Sequence, residues 1–462
     1  MKPKNISNCL FTALALSIFF SRPAICQPIQ LLPEWKAQTG VAIDLQTTYQ
    51  RARYYHPSNP FIFDVLRERL GLANTLAQAL GPSKVLILGD SISAKNLVRS
   101  LYSHRLNTIF PFIPDILSLD IENNEGEDEW TRDYVGFPAI VGSRRTLVNL
   151  SNRGLRSTTQ ISTRFNLSLL DHSLVGLEGG NLMVDEAGTC FSTDQSLLQK
   201  LVSSQICPQN VMAESLPYEG TGHIDLFAKL LNSQTVVLSR FINNKVEISE
   251  IATTVTQFGC GDSVTSSSPQ ESFLGCQFEK QTGHFSSLQL MKEQGLPKMI
   301  SIQEIPSFVQ SKWGANMNAI NANVKQSNGA ISSDTPMSSI DWSRSLVEHG
   351  HSVEKVFRQR GLSVVNIPAP PPILTHNITI YKSRSGQVIR QELTIELMFR
   401  SYTNALIFGR HLFIPSFSDY VDEHFEEKIS SVFRGQNFEV IKIPMNRSFL
   451  GGGTVHCLTR EF

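Results

Sequence analysis

Asp64-Val65-Leu66-Arg67-Glu68-Arg69-Leu70-Gly71-Leu72-Ala73-Asn74-Thr75-Leu76-Ala77-Gln78-Ala79-Leu80 is followed directly by Gly81-Pro82-Ser83-Lys84-Val85-Leu86-Ile87-Leu88-Gly89. In the first stretch the apolar residues recur at helical spacing, and Gly81-Pro82 stops the run. In the second, four consecutive apolar residues between turn signals predict a buried strand. Working outward, similar short apolar runs predict strands at Phe137–Val141, Thr235–Leu238, Leu362–Val365, Ala405–Phe408 and Phe438–Ile443. Helical spacing predicts helices around Gln195–Val202, Ile224–Leu231, Trp342–Arg360 and Val421–Phe433. Strands and helices interleave along the whole chain, so the class is mixed α/β.

The 462 residues are 41% apolar and 18% charged, enough for one large core or two ordinary ones. Lys+Arg and Asp+Glu both number 41, which leaves no basic excess to attract nucleic acid or an anionic membrane. Small-molecule or peptide chemistry remains. Residues 1–26 are expected to be a secretory signal: Lys2 and Lys4 precede the apolar run Leu10–Phe20, and Ser21–Cys26 supplies a small-residue cleavage region. That run is too short to span a bilayer, and no later segment is expected to cross one. A lipid anchor on Cys26 is disfavoured by Pro23-Ala24-Ile25 before it. Residues 27–462 are then read as a single domain outside the cytoplasm, secreted or periplasmic. Stretches rich in Ser, Thr, Gln, Asn and Gly near 253–276 and 316–339 read as insertions or surface loops, and Pro368–Pro372 as a rigid extended segment.

Of seven cysteines, Cys9 and Cys26 would leave with the signal, so five remain. In an oxidising compartment Cys190 with Cys207, and Cys260 with Cys276, can close as disulfides. This pairing leaves Cys457 as a free thiol, although spacing alone does not fix connectivity.

Five blocks can carry chemistry. Leu88-Gly89-Asp90-Ser91 looks like a serine-esterase block, but Asp422-Glu423-His424 has the wrong spacing for its partner, and a strand-to-helix turn uses these residue types anyway. Asp128-Glu129-Trp130-Thr131-Arg132-Asp133 is by itself compatible with a solvated, ion-paired loop. Glu178-Gly179-Gly180-Asn181 puts one acid at a tight turn in an apolar stretch, where burial shifts a carboxyl's pKa. In Gly222-His223-Ile224-Asp225 an extended backbone would put His223 and Asp225 on one face, suited to proton transfer or a metal. Further ligands at metal spacing are missing nearby, so no metal is expected. Gly451-Gly452-Gly453-Thr454-Val455-His456-Cys457 leads three glycines into the leftover cysteine, which fits either a presented nucleophile or an ordinary buried Cys.

Taken together and in order, Trp130-Thr131-Arg132-Asp133-Tyr134, Glu178-Gly179-Gly180-Asn181, Gly222-His223-Ile224-Asp225, Ser401-Tyr402-Thr403-Asn404 and Gly451–Cys457 resemble one family. It is the bacterial (Porphyromonas-type) peptidylarginine deiminase and agmatine deiminase group of the pentein superfamily. The resemblance implies a pseudo-fivefold α/β propeller of ββαβ units around a central pocket. It implies a hydrolase of amidine C–N bonds that uses no cofactor. Cys457 would attack the guanidinium carbon, Asp133 and Asp225 would hold its nitrogens, and His223, oriented by Glu178, would move protons. Asn404 and Trp130 would line the pocket, and Arg153 would meet a substrate carboxylate or backbone. The substrate would be an arginine-containing peptide or a small guanidino compound. Peptidyl- or free arginine giving citrulline leads, and agmatine giving carbamoylputrescine is the alternative. An amidinotransferase, a papain-like protease and a noncatalytic secreted guanidinium-binding effector are the other readings; the cysteine falls last in the chain, against the papain order.

Overall fold

In the computed structural model the described residues are 28–37, 39–45, 60–89, 110–119, 130–174, 177–260, 276–284, 298–313, 320–327, 332–418, 421, 423–451 and 453–462. Residues 1–26, the esterase-like Asp90-Ser91 and Asp422, and Asp128-Glu129 lie outside them. The helix expected from Asp64 begins at Pro60, where a missing N–H costs nothing, and ends at Leu80. Gly81 then takes φ 92°, a left-handed value that glycine adopts without strain. Leu66, Leu70, Ala73, Leu76 and Ala77 form the buried stripe of this helix. The strand that follows, Val85–Leu88, is buried throughout and pairs in parallel with Val41–Asp44, Val41 opposite Val85. Val41–Asp44 in turn pairs antiparallel with Thr459–Glu461.

An antiparallel strand pair, a helix and a parallel third strand thus make one unit, and four more sheets repeat this wiring. In chain order the first unit is the hairpin Phe137–Val141/Arg144–Ser151, the helix Leu155–Arg164 and the strand Ser168–Leu174. The second is Met183–Val184/Thr189–Ser192, Gln195–Ser203 and Gln209–Met212. The third is Ala228–Asn232/Thr235–Arg240, Leu346–Gln359 and Ser363–Pro368. The fourth is Leu406–Phe408/His411–Ser416, Glu423–Arg434 and Glu439–Pro444. The unit containing Val85–Leu88 is the fifth. The middle strand of each unit is buried along most of its length, while the helix-returned strands other than Val85–Leu88 are partly exposed.

One expectation fails here. Ile224–Leu231 is not a helix: Ile224–Leu226 is a single 3-10 turn and Ala228–Asn232 is the first strand of the third unit. Ile224, Leu226, Phe227, Leu230 and Leu231 do fall at helical spacing. They do so because the segment is buried on every side, Lys229 included, and a continuous buried run carries no period of its own. The other strands and helices lie within a few residues of their expected bounds.

A sixth, seven-stranded sheet has no helix-returned strand of this kind. It gathers Lys245–Cys260, Cys276–His284, Lys298–Ser301, Ile320–Ser327 and Ser332–Pro336, which run between the hairpin and helix of the third unit. Ile373–Ser383 and Val388–Met398, which run between the third and fourth units, complete it. Polar stretches expected as loops therefore include strands. Their β-branched Thr and Val residues satisfy backbone groups in ladders that run parallel to Ile373–Ser383 and antiparallel to Cys276–His284.

Cys190 and Cys207 form a disulfide with Cα atoms 5.8 Å apart, inside the apolar cluster that joins the first and second units. Cys260 is also disulfide-bonded, and its partner in the strand register is Cys276. Among the described residues no helix is long and apolar enough to cross a membrane. A Cys190→Ala/Cys207→Ala variant should lose about 3 kcal/mol of stability. Urea unfolding measures this, and an unchanged midpoint would mean that apolar packing alone holds the second unit.

Candidate active site

Each unit is entered by a short segment just before its first strand, and these five segments hold the residues singled out in the sequence. Asp133 lies in the helical turn Thr131–Tyr134 ahead of the first unit. Glu178 precedes the 3-10 turn Gly179–Asn181 ahead of the second. His223 is the N-cap of the turn Ile224–Leu226, which contains Asp225, ahead of the third. Asn404 stands two residues before Leu406 and Cys457 two before Thr459. Hydrogen bonds then link the segments in succession. Gly180 N–H donates to Asp133 Oδ1 (3.2 Å), and Glu178 Oε2 meets His223 Nε2 (2.7 Å). Thr403 Oγ1 donates to the Asp225 carbonyl (3.1 Å), Asn404 Nδ2 to Cys457 Sγ (3.1 Å), and Arg132 N–H to the Cys457 carbonyl (3.2 Å).

Cys457 is the free thiol among the described cysteines and is 5% exposed. Its sulfur lies 3.5 Å from Asp225 Oδ2. One ligand atom each from His223, Asp225 and Cys457 fall within 4.8 Å of one another, a grouping compact enough to hold a metal ion. Asp225 is fully buried; its Oδ2 accepts from His456 Nδ1 (2.6 Å), while its Oδ1 has no hydrogen-bond donor among the described residues. A buried acceptor without a donor carries a desolvation cost that a ligand N–H would relieve.

Two glycines are demanded by close approach. A Cβ at Gly180 would stand 2.5 Å from His223 Nδ1, and one at Gly453 would stand 2.7 Å from Cys457 Cβ, 2.8 Å from Sγ and 3.0 Å from the Trp130 ring. Gly452 lies outside the described residues. Asn404 fixes the loop after it: Thr454 N–H (2.9 Å) and Thr454 Oγ1 (2.8 Å) both donate to its Oδ1.

Burial pushes the Cys457 thiol up to about 12, Asp225 adds to this, and His223 offsets only part. Burial alone would depress His223, but the Cys457 thiol, Glu178 and Asp133 together lift it well above the ordinary histidine range. Desolvation raises Asp133 to about 6, helped by Glu178 and Asp225 and opposed by His223 and the Gly180 N–H. Burial would raise Asp225 too; His456, His223 and Lys229 instead hold it below the usual carboxylate value. The resting arrangement is a neutral thiol beside a protonated imidazole, with an ionised Asp225.

The structure thus gathers Cys457, His223, Glu178, Asp225, Asp133 and Asn404, and sets the half-buried Trp130 against Gly453. Arg153 is exposed on the loop between Arg144–Ser151 and Leu155–Arg164, and among the described residues no hydrogen bond or ion pair joins it to Cys457. His223 and Asp225 meet the thiol although the backbone between them is turned rather than extended. Sequence reasoning passed over His456, Glu34, Lys229, Arg132 and Glu461. Lys229 Nζ and Glu34 pair at 2.7 Å, His456 Nε2 lies 2.5 Å from Glu34 Oε1, and Arg132 pairs with Glu461. A lysine inside the apolar run Phe227–Leu231 and a histidine touching the candidate nucleophile were visible signals; Glu34 offered none.

By fold this is a pentein-type α/β protein. Agmatine deiminase from C. jejuni superposes with a TM-score of 0.50 at 13% identity, covering 94% of this chain and 95% of that one. The agmatine deiminase of Enterococcus faecalis gives the same score, identity and coverage. Residues 327–462 match the Porphyromonas-type peptidyl-arginine deiminase family. A curated agmatine deiminase from Pseudomonas savastanoi pv. phaseolicola is 39% identical over 61 residues, 13% of this chain and 16% of that relative's length. This C-terminal stretch is thus similar to the peptidylarginine deiminase and agmatine deiminase group.

Gly453→Ala should leave the fold intact and cut kcat/KM about 100-fold, the scale of an ångström's misplacement of a reacting group. Circular dichroism with steady-state kinetics separates the two effects, and near-normal turnover would mean that the thiol need not stand where the structure puts it.

Proposed function

We propose that this protein hydrolytically deiminates a guanidinium group through a covalent Cys457 intermediate. The observation that carries the proposal is a buried thiol 3.5 Å from a buried carboxylate whose second oxygen lacks a donor, with a histidine–glutamate pair alongside. A planar cation offers N–H groups that match carboxylates in pairs. Asp225 Oδ1 and Asp133 would accept them, and the guanidinium charge would cancel the carboxylate field that keeps the thiol protonated, so the thiol proton leaves to solvent as the cation binds. Cys457 Sγ then bonds to the guanidinium carbon. His223 gives its proton to the departing nitrogen, which leaves as ammonia. A water that loses one proton to His223 attacks the same carbon, the thiolate leaves from a ureido product, and the remaining hydroxyl proton passes to the sulfur and restores the thiol. Asn404 Nδ2, 3.1 Å from Sγ, stabilises that thiolate. Glu178 holds the imidazole by Nε2.

The five repeated units and the hydrogen bonds between their entry segments support a finer architectural reading, a pseudo-fivefold propeller with the site at its centre. Among substrates, peptidyl- or free arginine giving citrulline leads and agmatine giving carbamoylputrescine follows. The exposed Arg153 is a candidate to meet a peptide backbone or carboxylate at the rim. The Cys190–Cys207 disulfide supports an oxidising, secreted or periplasmic location, with residues 1–26 as the signal. N-terminal sequencing of the exported protein should then begin near residue 27, and an intact Met1 would overturn this reading.

Ammonia and ureido product should appear with at least one of agmatine, free arginine, a C-terminal-arginine peptide and an internal-arginine peptide, and should vanish in Cys457→Ala. No product from any of them would sink the deiminase reading. Because guanidinium binding needs Asp133 ionised, kcat/KM should fall as pH drops below about 6. A profile flat from pH 5 to 8 would remove Asp133 from the binding role.

A further inference from the structure

Asp225 can hold a guanidinium by Oδ1 only if its other oxygen is fixed; besides the Cys457 thiol at 3.5 Å, which reacts, one side chain is hydrogen-bonded to it. His456 Nδ1 lies 2.6 Å from Asp225 Oδ2, and the imidazole is completely buried. Its own placement is fixed through the backbone: His456 N–H donates to the Asn404 carbonyl at 3.2 Å, and its carbonyl accepts from Arg132 Nε at 2.8 Å. The ring cannot swing away with Asp225. Behind it, Nε2 meets Glu34 Oε1 at 2.5 Å, and Glu34 is held by Lys229 Nζ at 2.7 Å with Arg132 3.7 Å away.

The proton count of this chain is unusual. A neutral imidazole has one N–H, and a carboxylate has only acceptors. A neutral His456 ring can therefore donate to only one of the two carboxylates packed against it. Burial, Arg132 and Lys229 disfavour a doubly protonated ring. Asp225 is held below the usual carboxylate value and can only accept, so the ring N–H is assigned to Nδ1, which faces it. Glu34 closes the other side of the ring at Nε2 and limits how far it can turn.

We propose that His456, locked from behind by Glu34, is the positioning residue for Asp225. It turns Oδ1 of that carboxylate toward the guanidinium and sets how tightly the substrate is held. Neither residue touches the reacting atoms; both act through Asp225. The proposal rests on the deiminase reading for its substrate class, but the orientation of Asp225 can be tested without turnover.

Two measurements test it on the full chain. Steady-state kinetics with the best wild-type substrate are compared among His456→Ala, His456→Asn and Glu34→Ala. Agmatine binding is measured by calorimetry with the same changes in a Cys457→Ala background. His456→Ala should cut kcat/KM about 100-fold, mostly through KM, with a parallel rise in the agmatine Kd. His456→Asn keeps an amide N–H where Nδ1 stands and should recover most of the loss, and Glu34→Ala should raise KM with kcat nearly kept. A purely structural role would lower the folded fraction and leave KM of that fraction unchanged. Unchanged KM and Kd in folded His456→Ala, or an Asn variant no better than Ala, overturns the proposal. If His456→Ala does not fold, an unchanged KM in Glu34→Ala overturns it instead. If the wild type turns over no substrate yet binds agmatine in a His456-dependent way, the deiminase reading fails and the positioning role stands.

Discussion

The hydrogen bond from His456 to Asp225 lies at one end of a line of charged groups, buried except for the partly exposed Glu34. Asp225 meets His456, His456 meets Glu34, and Glu34 meets Lys229 and Arg132; Arg132 continues to Glu461. Arg460 adds a donor to the Arg132 carbonyl and packs over the Phe137 ring at 3.8 Å. Isolated charges at such depth would cost several kcal/mol each, so each member is tolerable only while its neighbours stay in place. These residues come from the start of the described chain, from the entries to the first, third and fifth units, from the first strand of the third, and from the last strand. Docking those parts together and building the site are therefore one event, since a displaced unit would strand a buried ion.

This explains why the chemistry sits on entry segments rather than on the helices or the long strands. A repeated strand–strand–helix–strand unit supplies rigidity through its buried sheet, and the residues just before the first strand are held by that sheet without belonging to its ladder. They can turn tightly, as at Gly179–Asn181 and Ile224–Leu226, and offer side chains to the neighbouring segment. The same constraint sets the electrostatics. Three carboxylates converge on one thiol and one imidazole, and with burial they hold the thiol protonated. Such a site favours a positively charged partner over a neutral one of the same shape.

The seven-stranded sheet obeys a different logic. It is interposed within the third unit and between the third and fourth, and it leaves their strand pairings intact. Long insertions at such points cost little, because loop-closure entropy grows slowly with length. Arg400, next to the fourth entry segment, pairs with Glu247 of this sheet at 2.7 Å, so the insertion is tied to the site's framework.

The sequence by itself determined the α/β class, most element positions and the set of residues that meet at Cys457. Apolar periodicity, Gly-Pro punctuation and short polar blocks are local properties that a chain displays before it folds. Free Cys457 was legible by elimination, because its four companions fall into two plausible pairs. Tertiary structure alone decided that Ile224–Leu231 is a turn and a strand, since burial on all sides erases the period that separates helix from strand. It alone brought Glu34 to His456 across 422 positions of sequence and set Lys229 against Glu34. Local pattern records what each segment buries, whereas partners for buried charges are chosen only when distant segments exclude water together.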